Sequence, residues 1–230
     1  MKHWLILMGI LGGAFAGVAR GEPYWVAWEG NDFPENEGWE RYHYGAKGPS
    51  ADRSLTGGIM TLDGLASIEI VDGYRLDRPL DPGPGEEFVV RWGLRVNEVA
   101  SDYPYDPGLA VYSDDAWHFV LVIGVDEVHS VLEQEEIGFE PGVFHAWEFR
   151  SRDMRSYTLL VDGSVIRTGS FLASGAVESR VDWGDVVAGA NSHSDWDYFR
   201  FGVVPEPASW VSLLALFCGT RVRHTERNKQ

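Results

Sequence analysis

The sequence predicts an all-β protein, a sandwich of two antiparallel sheets, from three observations. Apolar and polar residues alternate with a period of two in several short segments, as in strands with one face in a core. Asp162 and Gly163 separate two such segments, and an Asp-Gly pair in that position is typical of a tight β-hairpin. Turn pairs of glycine with aspartate or proline recur along the chain, which indicates short, regularly spaced strands.

Two segments, 88–96 and 143–151, give the clearest assignment of faces. In each of them bulky apolar residues occupy one parity and charged residues occupy much of the other. We therefore expect Trp92, Trp147 and Phe149 to lie between the sheets. We expect the opposite parity to face solvent, namely Arg91, Arg95, Glu148 and Arg150.

The composition limits the classes of partner. Among the 230 residues are 35 acidic and 19 basic ones, so the net charge is −16 at pH 7. Affinity for nucleic acid depends on cationic side chains that replace the phosphate counterions, so this balance excludes nucleic-acid binding. The only cysteine, Cys218, lies in an apolar run near the C-terminus. The β-rich body therefore has no disulfide and must be stabilised by its core.

The first 19 residues have the pattern of a secretory signal peptide. Lys2 precedes an apolar run at 4–10, and small residues follow at Ala14, Ala16 and Ala19. This pattern predicts a signal helix at 1–19, a partner in the export machinery, and a β-sandwich domain over 21–203.

Residues 204–230 form a distinct tail. Pro205, Glu206 and Pro207 precede an uncharged run at 208–220 and then a basic end. The tail resembles the PEP-CTERM sorting signal of exported bacterial proteins. That resemblance implies a sorting helix inserted transiently in the membrane, cleavage by an exosortase-type enzyme, and release to the cell surface or extracellular matrix. The alternative is an amphipathic or buried C-terminal helix.

The body also resembles a family. The segments 145–163 (HAWEFRSRDMRSYTLLVDG) and 194–202 (SDWDYFRFG) are similar to a hairpin and the closing strand of concanavalin A-like, laminin-G-type domains. The resemblance implies a jelly roll and permits carbohydrate binding, with exopolysaccharide or another glycan as partner.

Catalytic motifs are absent from the sequence. A retaining glycosidase needs two carboxylates about 5 Å apart, and no Glu-x-Asp-x-x-Glu strand supplies them. The acidic run at 133–136 precedes Gly138 and is expected to be a solvated loop. We therefore predict a non-catalytic protein. Two alternatives remain open, a glucanase-type hydrolase whose acids meet only in space and a structural matrix protein without a ligand.

Two groups of residues are candidates for binding a glycan. Asp102, Tyr103 and Tyr105 combine aromatic rings with a carboxylate, which suits the apolar face and the hydroxyl groups of a sugar. The alternative is a loop packed on its own domain. The outward residues Arg91, Arg95, Glu148 and Arg150 would form either a platform for a sugar or polyanion, or a cross-strand charge ladder.

A third group is a candidate site for a structural calcium ion. Glu29, Asn31 and Asp32 follow the first strand, and Asp195 and Asp197 begin the last one. First and last strands are often neighbours in jelly rolls, which would bring these oxygen ligands together. The alternative is that short acids cap turns.

Overall fold

The computed structural model describes residues 24–45, 50–65, 70–100, 107–113, 117–130, 133–173, 178–187 and 191–205. Most of the predicted signal and sorting segments, including Glu206 and Pro207, lie outside these ranges, as do Asp102, Tyr103 and Tyr105. Pro205 is the last residue described. No helix in the described ranges has the length and apolar character that crossing a membrane requires.

The described chain forms sixteen strands, numbered in chain order, and one short 3₁₀ helix, Pro34–Glu37. Sheet A contains β1 (Tyr24–Trp28), β3 (Asp52–Thr56), β4 (Ile59–Asp63), β6 (Glu86–Val99), β11 (His145–Ser151), β12 (Ser156–Val161), β13 (Ser164–Ser170) and β16 (Ser192–Pro205). Sheet B contains β2 (Glu40–Gly45), β5 (Ile70–Asp77), β7 (Gly108–Tyr112), β8 (Trp117–Ile123), β9 (Glu127–Ser130), β10 (Glu133–Gly138), β14 (Leu172–Ala173) and β15 (Arg180–Asp185).

Each sheet has eight strands in the described part of the chain, and the paired strands run antiparallel. Sheet A has the order β13-β12-β11-β6-β16-β4-β3, and β1 also pairs with β16. Sheet B has the order β10-β9-β8-β7-β15-β5-β2, and β14 also pairs with β8. The chain passes from one sheet to the other several times, so both sheets contain strands from all parts of the described chain. The predicted two-sheet antiparallel sandwich is confirmed.

The core contains the residues that the alternation predicts. Trp92 and Trp147 lie opposite each other on β6 and β11, and their rings stack with centroids 5.8 Å apart. Phe149, two pairs further along on the same face, is fully buried. Sheet B contributes Trp183, whose ring stacks on Phe199 of sheet A at 4.8 Å. Aromatic rings therefore join the two sheets, and the predicted register of β6 and β11 is confirmed.

The Asp162-Gly163 hairpin forms as predicted. Both residues have positive φ, 50° and 78°, and they connect β12 to β13. The Asp162 carboxylate accepts hydrogen bonds from the Ala146 backbone N–H at 2.9 Å and from His145 Nδ1 at 2.7 Å. The turn residue therefore also fastens the hairpin to β11.

The acidic run at 133–136 does not form a loop, so that expectation is wrong. It belongs to β10, which pairs with β9 and lies at the edge of sheet B. An edge strand has a hydrogen-bonding partner on one side only and needs no apolar alternation to form.

Candidate functional site

The predicted platform on sheet A is a ladder of ion pairs. Arg91 and Arg150 each donate to a different oxygen of Glu148. Arg150 also lies 3.5 Å from a carboxylate oxygen of the buried Glu87. These side chains are partners for one another across β6 and β11. Ligand binding here stays a prediction, and the contacts are those of the cross-strand ladder.

Arg95, the fourth residue of that set, is engaged with Asp195. The Asp195 carboxylate accepts hydrogen bonds from Arg95 Nη2 at 2.7 Å, Asn97 Nδ2 at 2.8 Å and Thr61 Oγ1 at 2.6 Å. Burial alone would raise the pKa of Asp195, but the bonds from Asn97, Thr61 and Arg95 together hold it below its ordinary value. The carboxylate is therefore ionised and fully used by protein donors.

The predicted calcium ligands have different partners. Strand β1 does pair with β16, but Glu29 binds Arg200 through both carboxylate oxygens, at 2.6 and 2.7 Å. Asp32 accepts hydrogen bonds from Phe33 and Asn36 of the following turn, while Asn31 and Asp197 are exposed. Among the described residues no group of three His, Cys, Asp or Glu side chains is placed to hold a metal ion. The calcium site therefore stays a prediction, and the contacts of Glu29 and Asp32 are with protein groups.

The outer face of sheet B carries a group that the sequence analysis did not select. We call it the Asp182 face and define it by Tyr42, Arg75, Tyr112, His118, Arg180 and Asp182. The strand pairing aligns these residues. Arg75 lies opposite Asp182, and Arg180 lies opposite Tyr112, which lies opposite His118.

Asp182 is the centre of this face. Its neighbours in sequence, Val181 and Trp183, are buried in the core, so Asp182 is on the outer side, yet its side chain is only 5% exposed. Arg180 Nε donates to Oδ2 at 3.1 Å. Arg75 Nε lies 3.9 Å from Oδ1, which is too far for a hydrogen bond. Within the described part of the chain, neither Oδ1 nor Arg75 Nε has a hydrogen-bonding partner.

The charge state of Asp182 depends on pH near neutrality. Burial raises the pKa of its carboxyl to about 6, and the nearby guanidinium groups of Arg180 and Arg75 oppose this only in part. Asp77 raises it further. A buried carboxyl with a raised pKa and one unused oxygen is a recognised sign of a functional site.

Aromatic rings surround the charged residues. The Arg75 guanidinium lies 4.1 Å from the centroid of the Tyr42 ring, and that of Arg180 lies 4.3 Å from Tyr112. The Tyr112 and His118 rings stack at 5.9 Å with an angle of 14°. His118 Nδ1 is a further buried atom without a partner among the described residues. The face therefore combines flat rings, fixed guanidinium groups and unused polar atoms.

Gly73 makes room for this arrangement. A Cβ atom there would lie 2.5 Å from the Trp183 carbonyl oxygen and 3.0 Å from the Tyr42 hydroxyl. Only a residue without a side chain allows the Tyr42 ring to lie across β5 beside Arg75.

The sequence does contain a signal for Asp182. In the segment 180–185, Val181 and Trp183 share the apolar parity, so the alternation places Arg180 and Asp182 together on the other side. The signal for Arg75 is weaker, because pairing of β5 with β15 joins residues more than 100 positions apart. Such long-range register is not readable from one sequence.

The two antiparallel sheets packed face to face define a class of protein, the jelly-roll β-sandwiches. The solved structures that share this fold include a carbohydrate esterase from a Shiga toxin-encoding bacteriophage, phi24B, with a TM-score of 0.56 and 13% identity, covering 79% of this chain and 98% of that one. A sialidase matches with a TM-score of 0.50 and 13% identity, over 74% of this chain and 17% of that one. A Bacillus licheniformis β-glucanase matches with a TM-score of 0.47 and 14% identity, over 76% and 96%. No protein-family model matches the chain, and no curated protein matches it.

These structures correct the prediction of a non-catalytic protein. That prediction depended on the absence of known catalytic motifs, yet the carbohydrate esterase, which this chain matches over 98% of its length, shares the fold at 13% identity. At such distances catalytic residues need not keep the same sequence pattern, because a site is defined by its geometry. The missing motifs are therefore no ground for excluding enzymatic activity.

Proposed function

We propose that this chain is a carbohydrate-binding β-sandwich protein whose ligand lies on the Asp182 face. One observation carries the proposal, the 3.9 Å gap between Arg75 Nε and Asp182 Oδ1, a donor and an acceptor that are both buried and unused. A hydroxyl group both donates and accepts hydrogen bonds, so one sugar hydroxyl that approaches both atoms from the outer face, at hydrogen-bonding distance from each, satisfies both. Satisfying buried polar atoms is favourable because each one left unpaired costs about 1 to 3 kcal/mol.

The aromatic residues of the face support the same class of ligand. Tyr42, Tyr112 and His118 offer flat rings beside the polar atoms, and the apolar C–H face of a pyranose packs on such rings. The guanidinium groups of Arg75 and Arg180 are held in place by the tyrosine rings, which reduces the entropy that binding would cost. The name of the carbohydrate esterase, which this chain matches over 98% of its length, is consistent with a carbohydrate ligand.

A glycan array probed with the full chain tests the proposal. The Arg75→Met variant keeps the apolar stem and removes the donor, so we expect it to lose at least tenfold in affinity for every glycan that the wild type binds. Arg200→Met is the matched control, because Arg200 lies on sheet A and pairs with Glu29. Equal binding by wild type and Arg75→Met would contradict the proposed location. Loss of binding in Arg200→Met alone would place the ligand on sheet A.

We also propose that the protein is exported and sorted to the cell surface or extracellular matrix, after cleavage of its tail by an exosortase-type enzyme. Support comes from the signal-like segment at 1–19 and from Pro205, Glu206 and Pro207. Pro205 pairs with Glu86 at the end of β16, so the motif begins where the sandwich ends. Intact mass of the protein recovered from its native host is expected to lack residues 1–19 and everything beyond about residue 207. A mature form that retains Cys218 would contradict this proposal.

A further inference from the structure

The Asp182 face places two guanidinium groups against a single buried carboxyl. Arg180 pairs with Asp182 Oδ2, while Arg75 approaches Oδ1 without bonding to it. Both arginines are largely buried, with side chains 27% and 21% exposed. The face therefore holds two fixed positive charges close to one acid, within a protein of net charge −16.

We propose that the ligand of this face is an acidic glycan, whose sugar rings carry carboxylates, and that it binds when Asp182 is protonated. The inference rests on the proposed function and specifies its ligand class. A ligand carboxylate accepts hydrogen bonds from Arg75 and takes over the charge pairing that Asp182 provides in the free protein. Guanidinium groups suit this role because their planar fork matches a carboxylate.

Protonation of Asp182 is required because two carboxylates in one buried site repel each other. When Asp182 is neutral, its hydroxyl donates a hydrogen bond and its charge no longer opposes the ligand. Burial gives this carboxyl a pKa of about 6, so protonation needs only mildly acidic conditions. Ligand binding and uptake of one proton are then coupled.

The other charged groups around Asp182 leave this coupling intact. On β5, Arg75 and Asp77 face it, and on its own strand Arg180 does. Tyr112 of β7 lies opposite Arg180 and stacks with it, and the titratable His118 lies beyond Tyr112 on β8, two strands away from Asp182. Glu40 of β2 lies opposite Arg75. Asp77 and Glu40 are exposed, so water and salt screen them more than the buried pair.

Isothermal titration calorimetry of the full chain between pH 5 and pH 8 tests the inference. The probes are an oligouronate, ionised throughout this range, and the corresponding neutral oligosaccharide. Two pH units above its pKa only about one carboxyl in a hundred is protonated, so we expect oligouronate affinity to fall roughly a hundredfold between pH 5 and pH 8. The Asp182→Asn variant, neutral at every pH, is expected to bind at pH 8 as the wild type does at pH 5.

The outcomes separate this inference from the proposed function. If the neutral oligosaccharide binds as tightly as the oligouronate, with no dependence on pH, the acidic ligand class is wrong and the carbohydrate site stands. If the oligouronate binds equally at pH 5 and pH 8, the role of Asp182 is wrong. If no glycan binds at any pH, the proposed function itself fails. Circular dichroism of Asp182→Asn confirms that the variant is folded.

Discussion

At the scale of single residues, the carboxylates of this protein divide into two kinds. Asp195 is held by three side-chain donors, which together keep its pKa low. Asp182 is buried to a similar degree but has one oxygen without a partner in the described structure, and burial raises its pKa. A carboxylate of the first kind stabilises the fold when it is ionised, whereas one of the second kind destabilises the fold when it is ionised. A buried group of the second kind is the better candidate for function.

The stability effect of Asp182 has a definite sign. Its pKa is about 6 in the folded protein and 3.8 as the ordinary value, so the folded state binds the proton more tightly. Relative to Asp182→Asn, the wild type should be most stable below about pH 4 and lose about 3 kcal/mol as the pH rises through 6. Urea denaturation of both proteins from pH 4 to pH 7 measures this. A difference in unfolding free energy that is constant with pH would contradict the raised pKa.

Asp195 is expected to stabilise the folded protein at pH 7, unlike Asp182. Asp195→Ala removes the acceptor of Thr61, Arg95 and Asn97 together, and we expect it to reduce the unfolding free energy at pH 7 by about 2 to 4 kcal/mol. Asp197→Ala is the matched control, because Asp197 is exposed and two positions away, and it should change stability by less than about 0.5 kcal/mol. Similar losses in the two variants would show that the Asp195 contacts contribute little. Both are measured by urea titration without added metal.

At the scale of elements, the predictable strands are those with bulky apolar residues on one parity and charged residues on much of the other. Strands β6 and β11 have this pattern, so Trp92 and Trp147 could be placed in the core from sequence. The hairpin of β12 and β13 was predictable from Asp162-Gly163. Strand β10 was not, because it is an acidic edge strand. The pairing of β5 with β15 was not predictable either, because no local pattern identifies a partner strand so distant in sequence.

Strand β11 provides a test of the core. Trp147 is 1% exposed and stacks on Trp92, so Trp147→Ala should cost about 3 to 5 kcal/mol and leave the protein largely unfolded. Val165→Ala, on β13 of the same sheet, removes an apolar side chain that is 60% exposed and should cost less than about 0.5 kcal/mol. Guanidinium denaturation compares the two. A Trp147→Ala protein as stable as Val165→Ala would mean that the assigned face of β11 is wrong.

At the scale of the whole molecule, the two outer faces of the sandwich differ in what they leave unsatisfied. On sheet A, the arginines predicted to form a platform are paired with carboxylates, as Arg91 is with Glu148 and Arg95 with Asp195. On sheet B, Arg75, Asp182 and His118 each keep a buried polar atom without a partner in the described chain. Cross-strand pairs stabilise a sheet by tenths of a kcal/mol each, whereas unpaired buried atoms are unfavourable unless a ligand satisfies them. This contrast is why the sheet B face is the proposed site.

The most direct test of this account is a crystal structure of the protein with an oligosaccharide identified on the glycan array. We expect electron density for the sugar on the outer face of sheet B, with one of its oxygens within about 3.2 Å of both Arg75 Nε and Asp182 Oδ1 and a ring packed against Tyr42 or Tyr112. Density for the sugar on the ion-pair ladder of sheet A, with the Arg75 and Asp182 atoms still unbonded, would contradict the central claim.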